Sequence, residues 1–219
     1  SLSDDNAPLG RVVRCIYETS DGAVWFGTTS GLSRLQNGTW TTWTEGDGLS
    51  DNVVRSLCED DNGDLWVGTG KRLHRLSAGK IVETYGATNG IDIVSIRGLW
   101  RDRHGELWIA SNAGLFCRSG NEFVRFGKAN GLEDQTCIAV RRDRRGTLWV
   151  GNSGGLSRLV DGRFVPEVTS TGEALDLVHA LMEDREGNLW VGGKDGLHRV
   201  RPLPFTTYTR RHGLSHNNV

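Results

Sequence analysis

The sequence predicts an all-β fold, a β-propeller of five four-stranded antiparallel blades. Three observations carry this. First, one eleven-residue stretch recurs five times, ending in Trp25-Phe26-Gly27-Thr28, Trp66-Val67-Gly68-Thr69, Trp108-Ile109-Ala110-Ser111, Trp149-Val150-Gly151-Asn152 and Trp190-Val191-Gly192-Gly193. Second, the tryptophans at 25, 66, 108, 149 and 190 are spaced 41, 42, 41 and 41 residues apart, a fixed period that marks a repeat architecture. Third, each repeat breaks into four short apolar runs separated by turn signals, which is the make-up of a propeller blade.

The second repeat shows the elements in order. Val53-Val54-Arg55-Ser56-Leu57-Cys58 is an inner strand, apolar on both faces as a strand between neighbours must be. Asp60-Asp61-Asn62-Gly63 turns the chain, Leu65–Gly68 is a second strand and Leu73–Leu76 a third. Ala78-Gly79 turns again, Ile81–Tyr85 is the outer strand, and Asn89-Gly90 leads into the next copy. Helical repeats of this period would need ten or more residues at 3.6 spacing, and glycine and turn pairs interrupt every such window. The blades span approximately 12–52, 53–94, 95–135, 136–176 and 177–217 within a single propeller domain or fragment. They either close side to side or form part of a larger ring, completed by other blades or by a second copy of the chain.

Composition agrees. Thirty glycines and one methionine in 219 residues suit many tight turns and few long helices. A net charge of −1 gives no bulk attraction to nucleic acid or an anionic membrane, and no run of about 18 apolar residues exists to span one. The N-terminal residues lack the basic and apolar regions of a signal peptide. Cys15, Cys58, Cys117 and Cys137 show no C-x-x-C pairing and lie in apolar runs, so they read as small buried hydrophobes, with a disulfide between neighbouring repeats left open.

Aligning the repeats on their tryptophans exposes position-specific choices. Ten residues before stand Cys15, Ser56, Gly98, Ala139 and Ala180, all small, as crowding near an axis requires. Eleven before stand Arg14, Arg55, Arg97, Ile138 and His179. The inner strands begin on the face shared with the inter-blade loops, so Arg14, Arg55, Arg97 and His179 should ring a mouth. Arginine forks there suit carboxylate, sulfate or phosphate groups. The competing reading has them pairing with Asp and Glu of neighbouring blades. Loop residues Asn52 and Gln135, with Asp92 and Asp176, differ between copies and are candidates for specificity. The periodic tryptophans read as blade-to-blade core. Trp40, Trp43 and Trp100 lie outside that set, and Trp43, beside the Thr44–Leu49 loop, is a candidate for stacking on a glycan. Asp60-x-Asn62-x-Asp64 has calcium-loop spacing, but the equivalent turns carry Arg103-His104 and Arg144-Arg145, which favours a plain hairpin turn. The basic cluster Arg141, Arg142, Arg144 and Arg145 falls on the opposite face and reads as solvated, with a docking patch as the alternative.

The repeat resembles the two-component regulator propeller repeat. The likeness rests on Val54-Arg55-Ser56-Leu57-Cys58-Glu59-Asp60, Gly63, Leu65-Trp66-Val67-Gly68-Thr69, Leu73 and Arg75, with Gly48-Leu49-Ser50-Asp51-Asn52 as the connecting loop. The resemblance implies the periplasmic sensor part of a bacterial hybrid histidine kinase or related signalling protein, binding a small molecule or oligosaccharide at the propeller mouth. It implies no cofactor. The chain is also similar to streptogramin lyases, though their Thr-Glu after the aromatic is replaced here by Gly27-Thr28 and Gly68-Thr69. No nucleophile–base pair, phosphate loop or His-Glu metal motif appears, so no catalytic or metal residue is assigned and an enzyme is disfavoured. A non-catalytic protein-interaction scaffold and a lyase-like enzyme are the alternatives to the sensor.

Overall fold

The computed structural model describes residues 12–91, 95–132, 136–168, 175–194 and 196–200. Gln135, Asp92, the outer strand expected around Phe205 and the last inter-blade loop lie outside them. The first blade consists of β1 (Val13–Glu18), β2 (Val24–Thr28), β3 (Leu32–Gln36) and β4 (Thr39–Trp43). The second consists of β5 (Val54–Glu59), β6 (Leu65–Thr69), β7 (Leu73–Ser77) and β8 (Lys80–Tyr85). The third holds β9 (Ile96–Arg101), β10 (Leu107–Ser111), β11 (Gly114–Ser119) and β12 (Glu122–Phe126). The fourth holds β13 (Cys137–Arg142), β14 (Leu148–Asn152), β15 (Gly155–Val160) and β16 (Arg163–Glu167). The fifth shows β17 (Val178–Glu183), β18 (Leu189–Gly193) and β19 (Gly196–Val200). Each is an antiparallel meander in sequence order, so the protein is a five-bladed β-propeller.

The repeated tryptophan and its surroundings explain why these residues form blades. Each of Trp66, Trp108, Trp149 and Trp190 donates its indole Nε1–H to the aspartate six residues earlier, at 3.0, 3.2, 2.8 and 2.7 Å. In the first blade Thr19 replaces that aspartate and accepts from Trp25 at 3.1 Å. The other carboxylate oxygen accepts backbone N–H groups of the turn, as Asp60 does from Asn62 and Asp64. One side chain thus closes the β1–β2-type hairpin and satisfies a buried indole, so the Asp60 oxygens are spent within the turn. The fourth turn residue is glycine because its φ is +79 to +88° in all five blades.

Each of the first four tryptophans then packs across to the next blade. Trp25 clusters with Leu57, Leu65 and Val67; Trp66 with Leu107, Ile109 and Phe116; Trp108 with Val140, Leu148 and Val150; Trp149 with Leu189 and Val191. The tryptophan-x-glycine spacing follows from the same approach. A Cβ on Gly68 would sit 2.5 Å from Ile96 Cγ2 in the next inner strand, and one on Gly151 2.5 Å from Val178 Cγ1.

Five blades make four such cores among the described residues. The inner strands neighbour one another in the order β1, β5, β9, β13, β17, and β17 forms no comparable pair with β1. The two end faces are correspondingly bare: Ile16 is 64% exposed on the first blade, Met182 54% and Leu197 68% on the fifth. Among the described residues the blades form an arc around a central axis.

None of the four cysteines is joined in a disulfide. Burial pushes the Cys15 and Cys58 thiols up to about 11 and Cys117 to about 12, so they are protonated packing groups, and the disulfide alternative is not realised. Short 3-10 turns at Glu45–Asp47, Ala87–Asn89 and Lys128–Asn130 carry the chain between blades.

Candidate functional site

The start of every inner strand carries a β-bulge. Val13 pairs with Thr28 and Cys15 with Gly27, so Arg14 is the extra residue. The same skip leaves out Arg55, Arg97, Ile138 and His179 in the other four blades. A bulged residue drops out of the ladder and its side chain is re-aimed. The position that the sequence marks as a mouth candidate is therefore one that the inner-strand ladder leaves unpaired in every blade. The small residue that follows it lies against the tryptophan-x-glycine segment: Cys15 Sγ and Ser56 Oγ occupy the space a side chain on Gly27 or Gly68 would need.

Three of the bulged residues act on one another. The Arg55 guanidinium is held below its usual pKa by burial first, and then by the charges of Arg14 and Arg97, with Asp51 as the opposing influence. Arg55 Nε is buried without a hydrogen-bond partner among the described residues. No ion pair joins Arg14, Arg55 or Arg97 to a carboxylate among the described residues, so the pairing with neighbouring Asp and Glu is absent there. His179 occupies the equivalent bulge in the fifth blade and is exposed, but it is not among the charges that act on Arg55.

Two other candidates have structural tasks. Asn52 ties down its own loop, accepting from Glu45 N at 2.8 Å and donating to the Glu45 carboxylate at 3.3 Å. Trp43 is only 7% exposed, packs against Trp25 with the ring centroids 5.1 Å apart and the planes tilted by 30°, and donates to the Gly79 carbonyl at 2.9 Å. Its indole is core and not a surface for a glycan. The hairpin-end arginines also differ from a solvated cluster. Arg142 binds Asp102 at 2.8 Å and Glu106 at 3.2 Å, and Arg144 binds Glu183 at 2.8 Å. Burial pushes the Asp102 carboxyl up, but hydrogen bonds from Trp108, His104 N, Arg142 and Glu106 N outweigh it and hold it ionised.

One feature of the mouth left no signal in the sequence. His74 is fully buried on β7. Its Nε2 accepts from Ser50 N at 3.1 Å and contacts Ser50 Oγ at 2.9 Å, so Nδ1 carries the proton and donates to Thr84 Oγ1 at 3.0 Å. Burial, then the charge of Arg72, pushes its pKa down to about 4. The imidazole thus latches the Gly48-Leu49-Ser50 loop, which leads directly to Asp51 and the Arg55 bulge.

The sequence profile described as the two-component regulator propeller matches residues 8–30, 48–71 and 172–195. Three of the five repeats, the first, second and fifth, therefore carry the two-component regulator propeller pattern. No curated protein matches the sequence. Among solved structures, the repeats are similar to the extracellular domain assigned to the hybrid two-component system BT3049 of B. thetaiotaomicron, with a TM-score of 0.76 and 22% identity over 84% of this chain and 27% of that one. The corresponding domain of BT4673 from the same organism gives 0.67 and 19% identity over 89% and 31%. Virginiamycin B lyase of Staphylococcus aureus gives 0.68 and 17% identity over 87% and 70%. At these identities each likeness carries the fold. The chain spans less than a third of the length of the two extracellular domains. Among the described residues no helix is long and apolar enough to cross a membrane.

Proposed function

We propose that these repeats form a ligand-binding, non-catalytic sensor segment of a bacterial two-component-type signalling protein, exposed to the periplasm, with a small acidic molecule or oligosaccharide bound at the mouth. The observation that supports it is the Arg14–Arg55–Arg97 group. Three guanidiniums converge with Asp51 as the nearby counter-charge, and the central one is half-buried with an unmet N–H. Like charges gathered without partners cost stability, and an anionic ligand would relieve that cost. Ligand binding at the axis would favour one packing of the blades over another and so bias an output elsewhere in the signalling protein.

The test is a thermal-shift screen against acidic and neutral oligosaccharides and small organic anions. A ligand at about 100 times its dissociation constant adds roughly 2.7 kcal/mol, a shift of several degrees at this size. The shift should vanish in Arg55→Ala and Arg97→Ala. A shift that persists in both variants would place the ligand elsewhere, and turnover of a cyclic depsipeptide would instead support the lyase-like reading.

A further inference from the structure

At the other end of the inner strands lies a cavity of about 680 Å³, open towards the Asp-x-x-Gly hairpin turns. Its floor is Tyr17, Leu57, Leu99 and Trp100, and its walls carry arginines of the third and fourth blades. Five carboxylates line it, and every one is engaged. Glu59 accepts from Ser20 N and Oγ, Asp61 pairs with Arg101, Asp102 with Arg142, Glu183 with Arg144, and Asp143 accepts from Trp149 Nε1.

Arg141 has no such partner among the described residues. Its guanidinium lies over the Trp100 ring, 4.5 Å from the centroid. Arg141 Nε and Trp100 Nε1 are both buried, and neither donates to any acceptor. Two adjacent N–H donors are therefore unmet at the bottom of an open cavity, where a buried donor normally finds a partner or a bound group. Arg103 and Arg145 add charge at the rim and make no ion pair among the described residues.

The position itself is out of character. Arg141 stands eight residues before its tryptophan and is paired across the ladder with Trp149. The equivalent residues are Tyr17, Cys58, Trp100 and Met182. A lone guanidinium at a position filled elsewhere by apolar and aromatic groups breaks the local rule of the repeat, and such departures concentrate at functional sites. Burial, aided by the charge of Arg144, holds the Arg141 pKa below its usual value against the opposing charge of Glu183.

We propose that this cavity binds an organic anion whose carboxylate or sulfate is carried on a ring. The anionic group accepts from Arg141 and Trp100 Nε1, and the ring lies on the apolar floor. A cavity of this volume holds a mono- or disaccharide or a substituted aromatic, and far exceeds an inorganic anion. The site is separate from the mouth arginines and does not depend on them.

Calorimetric titration of the intact chain tests this with paired probes. These are phenylacetate against phenylacetamide, and a glucuronate-bearing disaccharide against its neutral glucose counterpart, with sodium sulfate as the ringless anion. At least one ring-bearing anion should bind with a dissociation constant of about 1 mM or tighter, and its neutral partner and sulfate about tenfold more weakly. The pair that responds distinguishes an aromatic from a sugar ring. Arg141→Met keeps the apolar stem and should weaken binding at least about tenfold without lowering the melting temperature. Trp100→Phe keeps the ring, removes the donor and should also weaken binding. Arg55→Ala should leave it unchanged. No binding of any ring-bearing anion at about 10 mM overturns the proposal. So does full-strength binding in Arg141→Met, sulfate binding as tight as the ring-bearing anions, or loss in Arg55→Ala but not in Arg141→Met.

Discussion

Acidification from about pH 7 to about pH 5 should loosen the second blade through one residue, His74. In the folded chain its imidazole is neutral because both ring nitrogens are committed, one to Ser50 and one to Thr84, and burial holds its pKa near 4. In the unfolded chain it titrates near 6.5. A depressed folded pKa means the stabilisation is fully present above 6.5 and is lost as pH falls towards 4, because only the unfolded form takes up the proton in that window. The difference between 6.5 and about 4 sets a ceiling of roughly 3 kcal/mol. By about pH 5 some 2 kcal/mol of it should be gone. Urea unfolding followed by tryptophan fluorescence, across a series of pH values, measures this in the wild type and in His74→Gln. The variant lacks the titrating group, so its stability should change about 2 kcal/mol less over the same interval. The remaining histidines and the carboxylates contribute to both proteins and cancel. Parallel pH profiles for wild type and variant would refute the assignment of a neutral, latched imidazole.

Other expectations follow from the blade packing. Trp66→Ala, which empties a core shared by two blades, should cost about 3–5 kcal/mol, whereas Trp190→Ala should cost roughly half that or less, since no described blade covers it; equal losses in urea unfolding would contradict the arc of four cores. Gly68→Ala places a methyl against Ile96 and Ser56 and should destabilise by about 1–3 kcal/mol, read as a lower denaturation midpoint. Asp102→Ala removes the acceptor for Trp108 and the partner of Arg142, and a loss of roughly 3–5 kcal/mol is expected, against under 1 kcal/mol for the exposed pair partner in Asp176→Ala.

The architecture was legible because the period, the turn glycines and the apolar runs all point the same way, and a repeat states each of them five times. The small residues ten before each tryptophan were likewise readable as close packing. The bulge was not. It shifts the register by one residue without altering composition, so Arg14, Arg55 and Arg97 could be placed at the mouth but not recognised as leaving the ladder. Trp43 misled because a tryptophan beside a loop looks the same in sequence whether its ring turns outward or, as here, lies on Trp25. The hairpin-end arginines read as one solvated cluster, since sequence shows neither the carboxylates across the blades nor the Trp100 ring under Arg141. His74 gave no hint at all, because its partners lie 24 residues before and 10 after it.

The recurring bulge also separates two duties within one unit. Tryptophan, aspartate and glycine hold each copy to its neighbour, and a change there disturbs two blades at once. The bulged residue touches no such constraint, and in this chain it reads Arg, Arg, Arg, Ile, His from first blade to last. Stacking copies of one scaffold around an axis thus yields a row of letters that can be respelled one blade at a time while the scaffold stays the same.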